Sequence, residues 1–312
     1  MRILSLDGGG VKGVLEARLL ERLEAESPFV DGVDLFAGTS TGGILALALA
    51  AGIPMSECVA LYRDNSKDIF SSRGLLDSLT PDEYMRANYS QEGLRNVLTE
   101  VFGDRRLPDL EKEVLLPCFD LMRFRPKFLD RTDDWSLVDA GLATSAAPTY
   151  FPGHIVHEAH TAAGSRTTQS GSVRCLIDGG VYANNPSDRA ISFARVKLGW
   201  EGDITMLSLG AGATPYRPPE ELLYSDSKTL DWGFRQWVVK PPHLLMKVLF
   251  DGSVTAAHYS SRGQLGAGYH RIQPMLPEDV DLAAYDKVPL LIAVADGYDA
   301  DEDVVWLKTH WG

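Results

Sequence analysis

The chain of 312 residues is 45% hydrophobic and carries a formal net charge of −13. That is enough apolar content for a large core, and the wrong sign for broad nucleic-acid binding or for electrostatic attachment to anionic lipid. Cys58, Cys118 and Cys175 are irregularly spaced, which fits neither a disulfide framework nor a zinc site and suits a reducing cytoplasm.

No long Pro/Gly/Ser tract, charge block or repeat divides the sequence. One domain over 1–312 is therefore expected, with 213–312 completing or regulating the part before it. The opening apolar run is too short for a signal peptide, since Asp7 follows at once. The most apolar stretch, Ile44 to Ile53, is about half the length of a membrane-spanning helix and reads as a buried core helix.

In chain order, residues 2–6 predict a strand, followed by the glycine loop "DGGGVKG" (7–13). "VLEARLLERLEAE" predicts a helix with Leu15, Leu19 and Leu23 on one face. Residues 33–37 predict a second, buried strand, and "GTSTGG" turns the chain into the apolar helix. This βαβα start implies an α/β fold with a mostly parallel sheet flanked by helices.

The stretch 54–130 reads as mixed and mostly helical. "HIVHEAH" (154–160) reads as a loop or frayed helix, its three histidines lacking the spacing of a standard zinc set. "TAAGSRTTQSGS" after it reads as a mobile surface loop. "VRCLIDGG" (173–180) and "ITMLSLGAG" (204–212) predict strands, with a helix between them that begins at Pro186.

Ligands of open parallel sheets bind at the carboxyl ends of the strands. Three features fall there: the glycine loop, "GTSTG" and the "DGG" at Asp178. Gly38-Thr39-Ser40-Thr41-Gly42 is G-x-S-x-G, in which small neighbours let the backbone bend sharply and push the serine hydroxyl out of the turn. Ser40 follows a single earlier strand, too little chain for the α/β-hydrolase order of serine, acid and histidine. His258, His270 and His310 lie on no clear strand-end loop. Asp178 is the better base, because it ends an apolar strand and Gly179 and Gly180 leave room beside it. The glycines at 8, 9 and 10 can turn backbone amides toward a developing oxyanion, with the helix after Gly13 adding its positive end.

Five blocks, "DGGGVKG", "GTSTGG", "ATSAAPTYF" (143–151), "DGGVYANNP" (178–186) and "LSLGAG" (207–212), stand in the order seen in patatin-like phospholipases, and the chain resembles that family over about 1–212. The resemblance implies lipid acyl hydrolysis by a serine–aspartate dyad, without histidine, metal or cofactor. Ser40 then matches the nucleophile, Asp178 the proton acceptor and Gly8, Gly9 and Gly10 the oxyanion loop. Gly38 and Gly42 shape the elbow, with Lys12, Gly13, Thr41, Gly179 and Gly180 in support. Two positions depart from the pattern: Lys12 and Leu142 stand where the family usually has arginine.

The resemblance extends to bacterial phospholipases of anti-phage defence that a cyclic oligonucleotide switches on. It implies a cytoplasmic enzyme acting at the inner face of the membrane, with an activator that closes a lid or drives homo-oligomerisation. Two apolar, locally basic segments, 231–250 and 121–128, are candidates for a lid or a membrane-docking surface. The competing reading is a nucleotide-binding protein. Gly8, Gly10 and Gly13 fit G-x-G-x-x-G, "DGGG-x-K" resembles the phosphate loop of actin-like sugar kinases, and Asp31 or Asp34 would hold a ribose.

Overall fold

The computed structural model describes residues 1–70, 87–160, 169–214, 229–239 and 244–311. The chain opens with β1 (Arg2–Leu6), α1 (Gly13–Glu26), β2 (Leu35–Gly38) and α2 (Thr41–Ala50). The middle holds α3 (Met55–Ile69), α4 (Gln91–Phe102), β3 (Glu113–Asp120), β4 (Arg125–Leu129) and α5 (Leu137–Thr144). Next come β5 (His154–His160), β6 (Gln169–Asp178), the short α6 (Gly180–Ala183), α7 (Ser187–Val196) and β7 (Thr205–Leu209). The last part holds α8 (Leu244–Leu265), β8 (Tyr269–Ile272), α9 (Val288–Gly297) and α10 (Asp301–His310).

Among the described residues these strands form one sheet in the order β5-β6-β3-β2-β1-β7-β8, with β4 also paired to β3. The pairings along β3-β2-β1-β7-β8 are parallel, whereas β4 and β6 run against β3, and β5 against β6. Successive side chains of a strand point to opposite faces, and the core divides accordingly. Ile3, Leu35, Ala37, Leu115 and Met206 pack on the side of α7. Leu4, Leu6, Phe36, Val114 and Leu207 belong to the larger core with α1, α2 and α5. Every residue of α2 is buried, as its uniformly apolar sequence requires.

The middle of the chain, described at 54–70 and 87–130, mixes its helices with two strands that the sequence did not single out, β3 and β4 at 113–129. Pro117 hides the first of these, since proline is a poor ladder residue. It falls at a changeover: β3 pairs with β2 up to Leu115 and with β6 from Cys118. "HIVHEAH" is the strand β5, paired from His154↔Leu176 onward with β6. Strand alternation puts His154 and His157 on opposite faces, and no metal-binding cluster occurs among the described residues. Residues 169–172 belong to β6 rather than to a loop, while 161–168 lie outside the described residues.

The segment after 213 completes the sheet through β8, which pairs with β7 from Met206↔Tyr269 to Leu209↔Ile272. Among the described residues no helix is long and apolar enough to cross a membrane.

Candidate active site

β2 is cut short by its own sequence. A Cβ on Gly38 would collide with the carbonyl of Gly42, and one on Gly42 with the carbonyls of Leu6 and Asp7. The chain therefore turns from strand to helix within hard contact of β1. Ser40, at the apex, takes φ 56° and ψ −122°, a region costly for a residue with a side chain and a mark of stored strain at functional turns. Its amide donates to Thr144 Oγ1 at 3.1 Å, and that hydroxyl donates to the Pro117 carbonyl at 2.9 Å. Thr39 Oγ1 donates to the Ala183 carbonyl at 2.6 Å. The turn is thus pinned to β3, α5 and α6 together.

Asp178 reaches Ser40 from an unexpected direction. β6 is antiparallel to β3, and its last residue pairs with Cys118, beyond the end of β2. The carboxylate is 1% exposed. It accepts from the Gly180 amide at 2.7 Å and lines the same pocket as Ser40. Burial is the dominant influence and raises its pKa from 3.8 to about 7, against the smaller pull of the Gly180 amide and the Ser40 hydroxyl. Gly179 lies flat on Pro117, where a Cβ would meet that residue's backbone, so β6 ends in contact with β3.

The glycine loop closes the other side. Gly8 is clamped to Asn184: its amide donates to the Asn184 carbonyl at 2.9 Å, and Asn184 Nδ2 donates to the Gly8 carbonyl at 3.1 Å. The amide of Gly8 is therefore committed, which reduces the expected trio of oxyanion donors to two. The amides of Gly9 and Gly10 have no hydrogen-bond partner among the described residues, and both glycines line the pocket that holds Ser40 and Asp178. Gly10 sits at φ +60° against the Leu282 backbone, and the Val11 amide donates to the Leu282 carbonyl at 2.8 Å. Gly13 begins α1 in contact with Thr41 and Tyr62, and the Tyr62 hydroxyl donates to the Thr41 carbonyl at 2.7 Å. Lys12 points away from Ser40, into a separate polar cavity.

The pocket around the dyad is apolar, walled by Ile44, Leu61, Ile69, Phe70, Leu94 and Phe151. No histidine lines it. His258 contacts the Tyr269 hydroxyl at 3.2 Å, His270 contacts Asp303 at 2.6 Å and His310 the Trp306 carbonyl at 3.1 Å. The arrangement is a strained serine, one carboxyl with a pKa near neutrality, two free amides and a greasy cleft. That set can attack an ester whose acyl part is apolar.

The dinucleotide form of the nucleotide alternative fails on geometry. Asp34 precedes β2, beside Arg2, whose amide donates to it at 2.7 Å. In the parallel pair Leu6↔Gly38 the glycine loop follows the other end, so neither Asp34 nor Asp31 can share a ribose with it.

Several contributors carried no sequence signal. Asn184 and Thr144 lay inside quoted blocks without a role. Arg271 and Leu282 are single residues far down the chain, whereas Phe250 ends the segment 231–250 that the sequence offered as a lid or docking surface. Arg271 on β8 grips Asp7 with Nη1–Oδ1 at 2.8 Å and Nη2–Oδ2 at 2.5 Å. Glu16, wholly buried, accepts from the Asp7 amide at 3.1 Å. Burial first, and the Asp7 charge second, push its pKa well above the usual carboxylate range.

Comparison with known proteins points to one family. The family model described as patatin-like phospholipase matches residues 4–191. Patatin-like protein 1 of Oryza sativa subsp. indica is 30% identical over 273 residues, covering 76% of this chain and 63% of that protein; the chain thus spans less than two thirds of that relative's length. A cGAMP-activated phospholipase of Pseudomonas aeruginosa (strain BWHPSA011 / Pa011) is 30% identical over 305 residues, 92% of this chain and 83% of that one. A protein of the same name from Escherichia coli (strain TW11681) is 34% identical over 205 residues, 60% of this chain and 54% of that one.

Proposed function

The chain belongs to the patatin-like phospholipase family, and on that premise we propose that it hydrolyses the fatty acyl esters of membrane phospholipids through Ser40 and Asp178. The observation that carries the reading is the meeting of a strained serine and a buried carboxylate in one apolar pocket.

Asp178 takes the hydroxyl proton as the Ser40 oxygen attacks the acyl carbonyl carbon. The amides of Gly9 and Gly10 hold the resulting oxyanion. Collapse expels the alcohol, which takes the proton from Asp178 and leaves an acyl-serine. Water, deprotonated by Asp178, then attacks the acyl carbon, and fatty acid departs as Ser40 recovers its proton. Gly8, Gly38 and Gly42 shape the backbone around these steps, and Gly179 and Gly180 keep the acid uncrowded.

The reading covers residues 1–312 as one domain, since Phe250 and Leu282 line the same pocket as Ser40. It takes cGAMP, named in the two bacterial relatives, as the activator. It places the enzyme in the cytoplasm at the inner membrane face, where exposed Leu245, Val248 and Leu249 on α8 enter the lipid beside Phe250. Activator binding can act through a change of subunit assembly as well as within one chain.

The test is fatty-acid release from mixed phospholipid vesicles by wild type and Ser40→Ala, each with and without cGAMP. Ser40-dependent release that requires cGAMP is expected. Release without nucleotide makes the enzyme constitutive, and no release under any condition refutes the hydrolase reading.

A further inference from the structure

Behind the glycine loop lies a second cavity of about 370 Å³, polar where the Ser40 pocket is greasy. Asn184 lines both, and its two bonds to Gly8 lie between them. The same cavity is lined by Asp7 and Arg271, the pair that anchors the root of the loop.

The lining has an unusual charge economy. Lys12 Nζ faces the cavity with no hydrogen bond or ion pair among the described residues, and burial lowers its pKa, only partly offset by Asp251 and Asp279. A partly buried ammonium without a close counter-ion among the described residues favours an incoming anion. The Asp251 carboxylate, facing the same space, is likewise without a hydrogen bond or ion pair among the described residues. Lys247 and Asp279 meet at 2.5 Å across the rim, both well exposed. Tyr259, 69% exposed, offers a ring face at the mouth next to His258.

A lipid tail does not match this lining. A simple anion meets Asp251 and Asp279 as well as the cations. A purine nucleotide satisfies all of it: phosphate against Lys12 and Lys247, base N–H groups against the carboxylates, and a base stacked on Tyr259. We infer that this cavity is a regulatory site for a purine cyclic dinucleotide, which acts on the Ser40 pocket through the Gly8–Asn184 contact. The inference rests on the activator reading above and gives it a location. A ligand drawn to Lys12 and Arg271 alters the anchors of the loop, and the amides of Gly9 and Gly10 move with it.

The probe is cGAMP, titrated calorimetrically into the full chain, with inorganic phosphate as the comparison. Wild type and Ser40→Ala are expected to bind cGAMP alike and to ignore phosphate at the same concentrations. Thr255→Trp, which fills the cavity from an exposed position on α8, and Asp251→Ala are each expected to weaken binding at least about tenfold. Thermal melts establish that both variants are folded. Undiminished affinity in these folded variants overturns the proposal, as does an absence of cGAMP binding to wild type or phosphate binding of equal strength. Binding that the two substitutions weaken, without any rise in vesicle hydrolysis, leaves the site standing and removes the activator reading. Failure of the hydrolase reading shows separately, as the absence of Ser40-dependent hydrolysis of a soluble ester.

Discussion

Ser40 and Asp178 meet in one pocket from the ends of β2 and β6, and burial raises the pKa of the Asp178 carboxyl to about 7. A base must be ionised to accept a proton, so hydrolysis should follow the ionised fraction of Asp178. For a soluble ester, kcat/KM is expected to rise about tenfold per pH unit below neutrality and to level off above it. A profile flat down to about pH 5 would show that Asp178 is not the titrating group.

The same shift affects stability. In the unfolded chain Asp178 ionises near its ordinary 3.8, and in the folded chain near 7. Between those values the folded chain holds a proton the unfolded chain has lost. Stability therefore falls as pH rises through this window, by about 4 kcal/mol in all. Asp178→Asn removes the effect. Its Tm should gain on the wild type between about pH 5.5 and pH 8, while activity drops at least about a thousandfold. A Tm difference independent of pH would contradict the assignment.

Thr144 is the strut of the elbow, accepting from the Ser40 amide and donating to Pro117. Thr144→Val leaves two buried backbone groups unpaired, with an expected loss of about 1–3 kcal/mol in stability. Because the strained turn relaxes, kcat on a soluble ester should fall while KM stays close to that of wild type. Urea unfolding together with steady-state kinetics measures both, and a change confined to KM would rule out the strut.

The apolar row on α8 separates membrane docking from chemistry. Trp237 packs against Trp232 at 5.5 Å between ring centroids, and Phe250 lines the Ser40 pocket, so neither reports on docking alone. Leu245, Val248 and Leu249 are exposed. Replacing all three with serine should cut hydrolysis of vesicle lipid at least about tenfold, since each loses about 1.5 kcal/mol or more of apolar burial in the bilayer. Hydrolysis of a soluble ester should be unaltered. Equal losses on both substrates would remove the docking role from α8.

The parts of the site legible in the sequence are those fixed by local geometry. Gly38 and Gly42 announce a turn that admits no side chain, and a short apolar strand before Asp178 announces a buried acid. What local pattern cannot carry is the partner that arrives from elsewhere. Arg271 has an unremarkable neighbourhood on β8, and only the closing of the sheet sets it against Asp7. Leu282 matters through its carbonyl, which any residue would supply. β3 was hidden because Pro117 argues against a strand until the change of neighbours from β2 to β6 is known. The sheet was expected to be mostly parallel, and β6 runs against β3, a direction that its own residues do not encode.

The bond from the Val11 amide to the Leu282 carbonyl joins the first turn of the chain to one of its last. Protein synthesis delivers residues in order. The nascent polypeptide presents Ser40 and its glycine loop early, yet that loop lacks its anchors until Arg271 and Leu282 have left the ribosome. A chain abandoned partway through translation would therefore carry every recognisable motif and none of the contacts that hold the glycine loop in place.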